Sequence, residues 1–273
     1  MPHALISGGS SGIGLKLAEK LFAKGWNVSL IARDQARLQQ AQSAIDGKRQ
    51  SSRQLILTFS ADVTDGDAVV RAVRAATSTH PLDLVVSSAG IIVPGSFADL
   101  PPDAFDRTMK VNYLGTVNLV RAVLPDLRAR GEGRIVLISS GAGLIGLYGY
   151  TAYAPSKFAV RGFAEALRAE LRPEGIGVSI VYPPDTDTPQ LRAEIPARPA
   201  ATSRIVARAK VLSAEAVADA ILRGIARQRF AIAPGPEMKL LAALHSLISP
   251  LLNRLLFDPA VADELRKKTS SPS

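Results

Sequence analysis

Short apolar segments alternate along this chain with segments of helical periodicity, and this alternation constrains the fold more than any other feature. The apolar segments are rich in Val, Ile and Leu at consecutive positions, as strands covered on both faces must be. The predicted strands are Ala4–Ser7, Val28–Ala32, Leu55–Ser60, Leu84–Ser87, Arg134–Ser139, Val178–Tyr182 and Phe230–Ala233. The predicted helices between them include Gly12–Lys24, Asp34–Ile45, Asp65–Thr77, Phe105–Arg130, Tyr153–Leu171 and Ala214–Gln228. Repeated alternation of this kind requires right-handed crossovers and hence a parallel sheet.

We therefore predict an α/β protein with a Rossmann-type, doubly wound parallel sheet of about seven strands, in the order 3-2-1-4-5-6-7, and helices on both faces. Residues 1–235 are predicted to form this catalytic domain. The domain includes a loop at 190–212, which has no clean helical period and contains Pro196 and Pro199. A loop of that length in a compact domain is usually a lid or a binding loop. Residues 236–273 are predicted to form an apolar C-terminal extension.

The composition excludes several kinds of catalytic site. The chain has no cysteine, which excludes thiolate metal ligands and cysteine nucleophiles, and its three histidines are scattered. The net charge of +9 suits nucleic acid, anionic lipid or an anionic cofactor. Nucleic acid is disfavoured because aromatic residues make up only 5% of the chain and do not interleave with basic segments. Catalysis is therefore expected from Ser, Tyr, Lys or carboxylate groups or from an organic cofactor, without a metal.

A glycine-rich turn follows the first predicted strand and precedes an amphipathic helix. Glycine lets the backbone turn tightly and lets a pyrophosphate approach the helix N-terminus, where free N–H groups favour anions. A simple flexible turn is the alternative, but this position between strand and helix favours nucleotide binding. The predicted contacts are Gly8, Ser10, Ser11, Gly12, Ile13 and Gly14.

Arg33, directly after the second predicted strand, indicates which nucleotide is bound. An acidic residue there would accept a hydrogen bond from the ribose 2′-hydroxyl of NAD, whereas arginine suits the 2′-phosphate of NADP. Arg37, one helical turn further on, is predicted to reach the same phosphate. A solvent-facing residue is the alternative for Arg33. The sequence thus predicts NADPH as the cofactor.

Two further segments are predicted to contact this cofactor. Asp62 and Val63, after the third strand, fit an adenine contact through the Asp side chain and the Val amide. The alternative is that the next two residues only cap the following helix. Ala89 and Gly90, after the fourth strand, are small enough to let the chain pass beneath the cofactor.

Tyr153 and Lys157 are predicted to carry the chemistry. They are four residues apart, so a helix places both side chains on one face. A phenol is a weak acid–base catalyst at neutral pH, and a lysine ammonium one turn away is expected to lower its pKa. Ser140, after the fifth strand, can hold a substrate oxygen beside the Tyr153 hydroxyl, and Asn112 can anchor a water that relays protons to Lys157. An amphipathic helix surface would explain the Tyr–Lys pair alone, but not the whole ordered set.

The order of glycine-rich turn, Asn112, Ser140, Tyr153 and Lys157 resembles the short-chain dehydrogenase/reductase family over residues 3–235. The resemblance implies a carbonyl reductase in which Tyr153 donates the proton and Ser140 contacts the substrate oxygen. It also implies that Lys157 lowers the pKa of the tyrosine and binds the nicotinamide ribose, that Tyr153 contacts the cofactor as well, and that Asn112 completes a catalytic tetrad.

The sequence departs from the family pattern in two places. Ser87-Ser88-Ala89-Gly90 stands where the family has Asn-Asn-Ala-Gly, and Pro183-Pro184 stands where it has Pro-Gly. The stretch 182–189, with 146–153 and 157–167, is similar to the 3-ketodihydrosphingosine reductases within the family. This similarity implies NADPH-dependent reduction of 3-ketosphinganine to sphinganine, in sphingolipid biosynthesis. The wider family implies a contact of Thr188 with the nicotinamide carboxamide.

Asp185 and Asp187 support a separate hypothesis about the substrate. A long-chain amino ketone carries an ammonium group next to the ketone, and a nearby carboxylate would attract it. The alternative is that one of these residues caps the following helix.

The C-terminal extension is apolar enough to suggest a lipid surface as a partner. From Met238 to Phe257 it is rich in leucine, but the apolar stretch between Lys239 and Arg254 is shorter than the roughly 20 residues that span hydrocarbon. We therefore predict peripheral contact with a membrane interface, assisted by the positive net charge. The alternatives are a helix pair that covers the substrate pocket and an interface of a homo-oligomer.

The first residues run directly into a strand without a signal peptide, so the predicted location is the cytoplasm, on the cytoplasmic face of a membrane. Two other functions are consistent with the fold. One is reduction of a different lipophilic ketone, such as a steroid, a retinoid or a 3-oxoacyl compound. The other is a non-catalytic, NADPH-sensing scaffold, which would have no need of the complete set of catalytic residues.

Overall fold

The computed structural model describes residues 1–207 and 209–270, apart from the side chains of residues 265 and 267–270. Two predicted segments extend past these limits. Arg208, in the predicted loop 190–212, and residues 271–273, in the predicted extension 236–273, lie outside the described residues.

A parallel sheet in the order β3-β2-β1-β4-β5-β6-β7 forms the centre of the molecule. Its strands are His3–Ser7 (β1), Asn27–Ala32 (β2), Ile56–Ser60 (β3), Leu84–Ser87 (β4), Gly133–Ile138 (β5), Ile176–Val181 (β6) and Ala231–Ile232 (β7). A separate pair of two-residue strands joins Thr186–Asp187 to Leu212–Ser213. The predicted α/β fold and strand order are confirmed, and every strand end lies within two residues of its predicted position.

The helices of the described residues are Gly12–Phe22 (α1), Gln35–Asp46 (α2), Gly66–Thr77 (α3), Asp103–Met109 (α4), Gly115–Arg130 (α5), Tyr153–Leu171 (α6), Pro189–Glu194 (α7), Ala200–Val206 (α8), Ala214–Ala226 (α9), Pro236–Leu252 (α10) and Asp258–Ser270 (α11). Helices α1, α2 and α9 cover one face of the sheet, and α3, α5 and α6 cover the other.

Successive side chains of each central strand enter two different cores. In β1, Leu5 packs on the side of α3, α5 and α6, whereas Ile6 packs on the side of α1, α2 and α9. Val85 and Val86 of β4 repeat this alternation. Because neither face of the sheet meets water, both sets of positions must be apolar, which explains the continuous apolar segments of the sequence.

The long helix that follows β4 is not regular. The sequence predicts one helix over Phe105–Arg130, but the structure has α4, a π-helical turn at Lys110–Leu114 and α5 in continuous succession. The wide turn is closed by a hydrogen bond from the Gly115 amide to the Lys110 carbonyl. It inserts one extra residue at the position of Asn112, whose side chain is buried.

The predicted irregular loop at 190–212 is largely helical, so this part of the prediction is wrong. The segment contains most of α7, a 3₁₀ turn at Ile195–Ala197 and α8. Pro196 lies in that turn and Pro199 immediately precedes α8. Each proline interrupts the helical pattern, so no period long enough to recognise remains in the sequence.

The extension forms α10, a π-helical turn at Asn253–Phe257 and α11. The polar residues and Pro250 do not interrupt it, so the helical stretch is longer than the sequence count between Lys239 and Arg254 indicates. Among the described residues, Pro236–Glu264 is long and apolar enough, by length and composition alone, to cross a membrane, and only 6% of its most apolar window is buried. Met238 and Phe257 anchor it to the domain. An exposed face remains, formed by Leu240, Leu244, Leu247, Leu251 and Leu255.

Candidate active site

The carboxyl ends of the parallel strands open into one groove, at the point where the strand order changes direction between β1 and β4. Most of the predicted site residues line it: Gly8, Ser10, Ser11, Gly12, Ile13, Arg33, Arg37, Asp62, Val63, Ala89, Gly90, Ser140, Tyr153, Lys157, Asp185 and Thr188. Gly14, Asn112 and Asp187 are not among the lining residues. The groove has a half beside α2 and a half beneath α7, and both include Gly8, Ala89 and Gly90.

The glycine-rich turn brings three chain segments closer together than side chains would allow. Gly8 has a φ of +69°, and a Cβ added there would lie 2.6 Å from the Ala89 backbone nitrogen. A Cβ added at Gly14 would lie 2.4 Å from the Gly8 carbonyl oxygen. Gly14 therefore lets α1 begin directly against the end of β1, although it does not line the groove itself.

The start of α1 is prepared for an anion. Its N-cap, Ser11, makes no side-chain capping hydrogen bond, and the first turn contains no acidic residue. The neighbouring helices differ, because Asp34 caps α2 and Asp65 caps α3. The amides at the start of α1 are thus left to a ligand, and the helix dipole favours a negative charge there.

The half of the groove beside α2 carries exposed positive charge. Arg33 lies 3.7 Å from the Asp62 carboxylate and Arg37 lies 3.4 Å from Asp34, with both arginine side chains about two-thirds exposed. Asp62 also accepts hydrogen bonds from the amide and hydroxyl of Thr64. The capping role considered for its neighbours belongs to Asp65, while Asp62 itself faces the groove.

In the other half, Ser140 and Tyr153 place two hydroxyl groups together. Tyr153 is the first residue of α6 and Ser140 follows β5 closely. Burial raises the pKa of the Tyr153 phenol, a hydrogen bond with Ser140 lowers it, and the negative charges of Glu194 and Asp185 raise it further. The net effect is upward, which differs from the sequence-based expectation of a lowered pKa. In this structure the phenol therefore stays protonated at neutral pH.

Lys157 lies one helical turn beyond Tyr153, as the spacing predicts. Its ammonium donates to the Ile138 carbonyl oxygen at 3.1 Å and lies 5.7 Å from the centre of the Tyr153 ring. Burial lowers the pKa of Lys157 to about 8. The ammonium is therefore close to the tyrosine ring without a direct bond to its hydroxyl, which explains why burial determines the pKa of the tyrosine.

Asn112 is held in place by three hydrogen bonds. Its Oδ1 accepts from the Ile91 amide at 2.8 Å, and its Nδ2 donates to the Ile91 carbonyl oxygen and to Ser156 Oγ, each at 2.9 Å. A Cβ at Gly90 would lie 3.2 Å from Asn112 Oδ1 and 3.5 Å from Lys157 Nζ. Asn112 thus fixes the chain after β4 against α6, close to the lysine ammonium.

Thr188 and the two aspartates before it have different surroundings. Thr188 caps α7, accepting from the Leu191 amide at 3.2 Å, so neither aspartate fills the capping role considered from the sequence. The Asp185 carboxylate forms two hydrogen bonds with Arg198, of 2.7 and 3.0 Å. Asp187 is exposed and pairs with Arg192.

Three residues that the sequence patterns do not single out as site residues, Tyr150, Glu194 and Arg198, lie around Asp185. Arg198 also donates to Glu194 at 2.6 Å, and the Tyr150 hydroxyl donates to the same Glu194 carboxylate. The side chains of Arg198 and Glu194 are each only 5% exposed. The (i, i+4) spacing of Glu194 and Arg198 was the available signal for their pairing.

The groove fits the dinucleotide that the sequence predicts. The turn at Gly8 leaves room that a Cβ would fill, and α1 begins with unsatisfied amides beside it. Arg33 and Arg37 supply positive charge further along the groove, and Lys157 lies at the opposite half. Bound here, the nicotinamide would supply a hydride next to the hydroxyls of Ser140 and Tyr153.

Comparison with known proteins agrees with this geometry. The sequence profile described as short chain dehydrogenase matches residues 2–198. The chain is 39% identical over 251 residues to a 3-dehydrosphinganine reductase of Danio rerio, covering 91% of this chain and 76% of the relative. It is 38% identical to a 3-ketodihydrosphingosine reductase of Bos taurus, with the same coverage.

Solved structures of the same fold include proteins with bound cofactor. A short-chain dehydrogenase from Sphingobium yanoikuyae in complex with NADPH is 27% identical, with a TM-score of 0.77 over 93% of this chain and 96% of that one. A short-chain dehydrogenase/reductase from Burkholderia phymatum in complex with NAD is 26% identical, with a TM-score of 0.80 over 92% of this chain and 94% of that one. The chain therefore belongs to the short-chain dehydrogenase family of oxidoreductases.

Proposed function

We propose that the protein reduces 3-ketosphinganine, a long-chain amino ketone, to sphinganine in sphingolipid biosynthesis, with NADPH as the hydride donor. The names of its relatives from Danio rerio and Bos taurus support this substrate. The observation that carries the proposal is the pair of hydroxyls of Ser140 and Tyr153 in a groove that fits a dinucleotide.

Tyr153 acts as the proton donor in this proposal. Because the pKa of its buried phenol is raised, the group is protonated at neutral pH and can donate to the carbonyl oxygen as negative charge develops there. Ser140 donates a second hydrogen bond to the same oxygen and fixes its position. Two donors aimed at the developing charge lower the barrier because they need no reorientation during the reaction.

Lys157 and Asn112 support this proton transfer. With a pKa lowered to about 8, Lys157 can exchange a proton near neutral pH, and its ammonium stabilises the phenolate that remains after donation. It also lies where it can hold the nicotinamide ribose. Asn112 positions the lysine region by tying the segment after β4 to α6. A water held by Asn112 as the link from Lys157 to solvent remains part of the proposal.

NADPH, rather than NADH, is proposed as the cofactor. Arg33 and Arg37 are exposed at the nucleotide end of the groove, and each pairs only loosely with a neighbouring carboxylate. A 2′-phosphate can replace these weak partners with charge-assisted hydrogen bonds. Thr188, which lies 3.1 Å from where a Cβ of Gly12 would stand, is proposed to contact the carboxamide end of the same cofactor.

The test is NADPH oxidation with 3-ketosphinganine by the wild type and by Tyr153→Phe. The wild type should turn over, and removal of the phenolic hydroxyl should lower kcat by about a thousandfold. Retained NADPH binding by Tyr153→Phe serves as the control for folding. A wild type that binds NADPH and reduces only steroids, retinoids or 3-oxoacyl compounds would identify a different substrate. A wild type inert toward every long-chain ketone would indicate a non-catalytic sensor.

We also propose that residues 236–273 attach the catalytic domain, residues 1–235, to the cytoplasmic face of a membrane. The exposed leucine face of α10 and the net charge of +9 support attachment to an anionic lipid surface. Flotation with anionic liposomes tests this: Leu247→Glu, at a side chain 76% exposed, should reduce partitioning. Val211→Glu is the matched control, because it adds the same charge at an exposed apolar residue outside α10. Equal partitioning of all three proteins would favour pocket covering or oligomer formation by the extension.

A further inference from the structure

The end of the groove beneath α7 contains a cluster of acidic, basic and phenolic side chains with more carboxylates than cations. The cluster consists of Asp185, Glu194, Arg198 and the hydroxyl of Tyr150. Two carboxylates share a single guanidinium, and burial together with Glu194 raises the pKa of Tyr150, which keeps that phenol neutral. With both carboxylates ionised, the cluster has a net charge of −1.

The two carboxylates differ in what holds them. Asp185 engages both terminal nitrogens of Arg198 and so matches the guanidinium fork. Glu194 receives only the remaining Nε–H of the arginine and one phenol. Burial opposes the charge of Arg198, but the hydrogen bonds to Asp185 and Glu194 outweigh it and raise the arginine pKa. The guanidinium is therefore permanently charged, and both of its terminal nitrogens are bonded to Asp185. Glu194 is thus the carboxylate whose negative charge is less fully balanced within the cluster.

This negative charge lies beside the reacting hydroxyl. Tyr150, Tyr153, Asp185 and Glu194 all line the same half of the groove. The rings of Tyr150 and Tyr153 pack edge to face with their centres 5.7 Å apart. The charge of Glu194 also contributes to the raised pKa of Tyr153. A group that hydrogen-bonds to Tyr153 is thus within the electrostatic reach of the cluster.

A buried negative charge without a full counter-charge is costly, and a bound cation removes that cost. Among the described residues, Lys157 is the only lysine that lines this half of the groove, and its ammonium donates to the Ile138 carbonyl oxygen rather than to the cluster. A cation adjacent to the carbonyl of a substrate is the group that would complete the cluster. An α-amino ketone has its ammonium on the carbon next to the carbonyl.

We propose that Glu194 binds the ammonium group of an amino ketone while Tyr153 holds its carbonyl oxygen, and that Asp185 and Arg198 fix Glu194 in place. This inference rests on the proposed function and names the residue that selects amino ketones over plain ketones. It changes the hypothesis drawn from the sequence, in which Asp185 or Asp187 had this role. Asp185 is a positioning residue here, and Asp187 lies on the surface.

The test compares two substrates, 3-ketosphinganine and its analogue without the amino group, in the wild type and in Glu194→Gln. The wild type should prefer the amino ketone in kcat/KM by at least tenfold. Glu194→Gln keeps the shape and most hydrogen bonds, so it should lower kcat/KM for the amino ketone by about thirtyfold and for the analogue by less than threefold. Asp187→Asn, which removes a carboxylate outside the groove, should leave the preference unchanged.

Equal losses of Glu194→Gln on both substrates would overturn the inference, because they would show a purely structural role. A second measurement on the wild type keeps the test valid if the variant does not fold. Sphinganine should inhibit at least tenfold more strongly than its N-acetylated form, which carries no cation; equal inhibition would also overturn the inference. Failure of the proposed function is distinguishable from either outcome, because the wild type would then reduce neither substrate.

Discussion

Arginine and carboxylate side chains meet at both ends of the groove, but under different conditions. At the nucleotide end, Arg33 and Asp62 approach to 3.7 Å and their side chains are 66% and 37% exposed. At the substrate end, Arg198 contacts Asp185 at 2.7 Å, and the arginine side chain is 5% exposed. The first pair is screened by water and easily exchanged for a ligand phosphate, whereas the second is a fixed part of the fold. The same two residue types thus form a replaceable contact in one place and a permanent scaffold in the other.

The largest expected difference between the two ends is in stability. Arg198→Met should lower the free energy of unfolding by about 3–5 kcal/mol, because it leaves the buried carboxylate of Glu194 and the half-buried carboxylate of Asp185 without their cation. Arg33→Met should change it by less than about 0.5 kcal/mol, since an exposed pair contributes little. Urea denaturation of both variants at neutral pH measures this. Similar losses at the two positions would contradict the distinction between scaffold and exchangeable contact.

Lys157 differs from the arginines at both ends of the groove, because it is buried and belongs to none of the salt bridges among the described residues. We expect its effect on stability to lie between those of Arg198 and Arg33. Burial lowers its pKa from 10.5 to about 8, so between these values the unfolded chain binds more protons than the folded one. The stability of the wild type relative to Lys157→Met should therefore rise with pH across this window, by on the order of 3 kcal/mol. Below pH 8 the cost of the buried ammonium is fully present, and above 10.5 it is gone. Unfolding curves of both proteins from pH 7 to about pH 10.5 check the sign; parallel curves would show that the lysine is not effectively buried.

The smallest expected effect concerns cofactor choice at the exposed end. Arg33→Ala should raise KM for NADPH by about tenfold, the equivalent of ~1.4 kcal/mol, and leave KM for NADH within twofold. Arg37→Ala should act in the same direction by about threefold, because Arg37 lies one helical turn beyond the strand end at which Arg33 stands. Steady-state kinetics with both cofactors measure the ratio. If both arginine variants weaken NADH as much as NADPH, the arginines do not read the 2′-phosphate.

The nucleotide end of the groove and the Tyr153–Lys157 pair could be predicted from the sequence, whereas the cluster at the substrate end could not. The glycine-rich turn and the Tyr153–Lys157 pair are local patterns, and a helix or turn converts their spacing directly into geometry. The strand order follows from the alternation of elements and the handedness of crossovers. These parts of the site could therefore be placed before the structure was known.

The cluster around Glu194 could not be predicted, because it depends on contacts between distant segments. Along the chain, Asp185 comes before α7 and Arg198 comes after it, while Tyr150 comes before α6. Pro196 and Pro199 also hide the helical spacing that would pair Glu194 with Arg198. The pKa of Tyr153 was predicted in the wrong direction for a related reason. Spacing shows the neighbouring ammonium, but the depth of burial, which dominates here, is a property of the whole fold.

The π-helical turn at Lys110–Leu114 adds a single residue to the continuous helix formed by α4 and α5. An α-helix advances by about 100° per residue, so one extra residue turns everything beyond it by that angle about the axis. Asn112 lies within this turn, and its side-chain amide bonds to both Ile91 and Ser156. Helices α4 and α5 can consequently both turn an apolar face to the core, although the sequence period of those faces shifts by one residue between them, and the Asn112 amide lies at the shift. Deleting one residue from this turn would shorten the chain by one position, yet it would rotate the apolar face of α5 relative to that of α4 by about 100°.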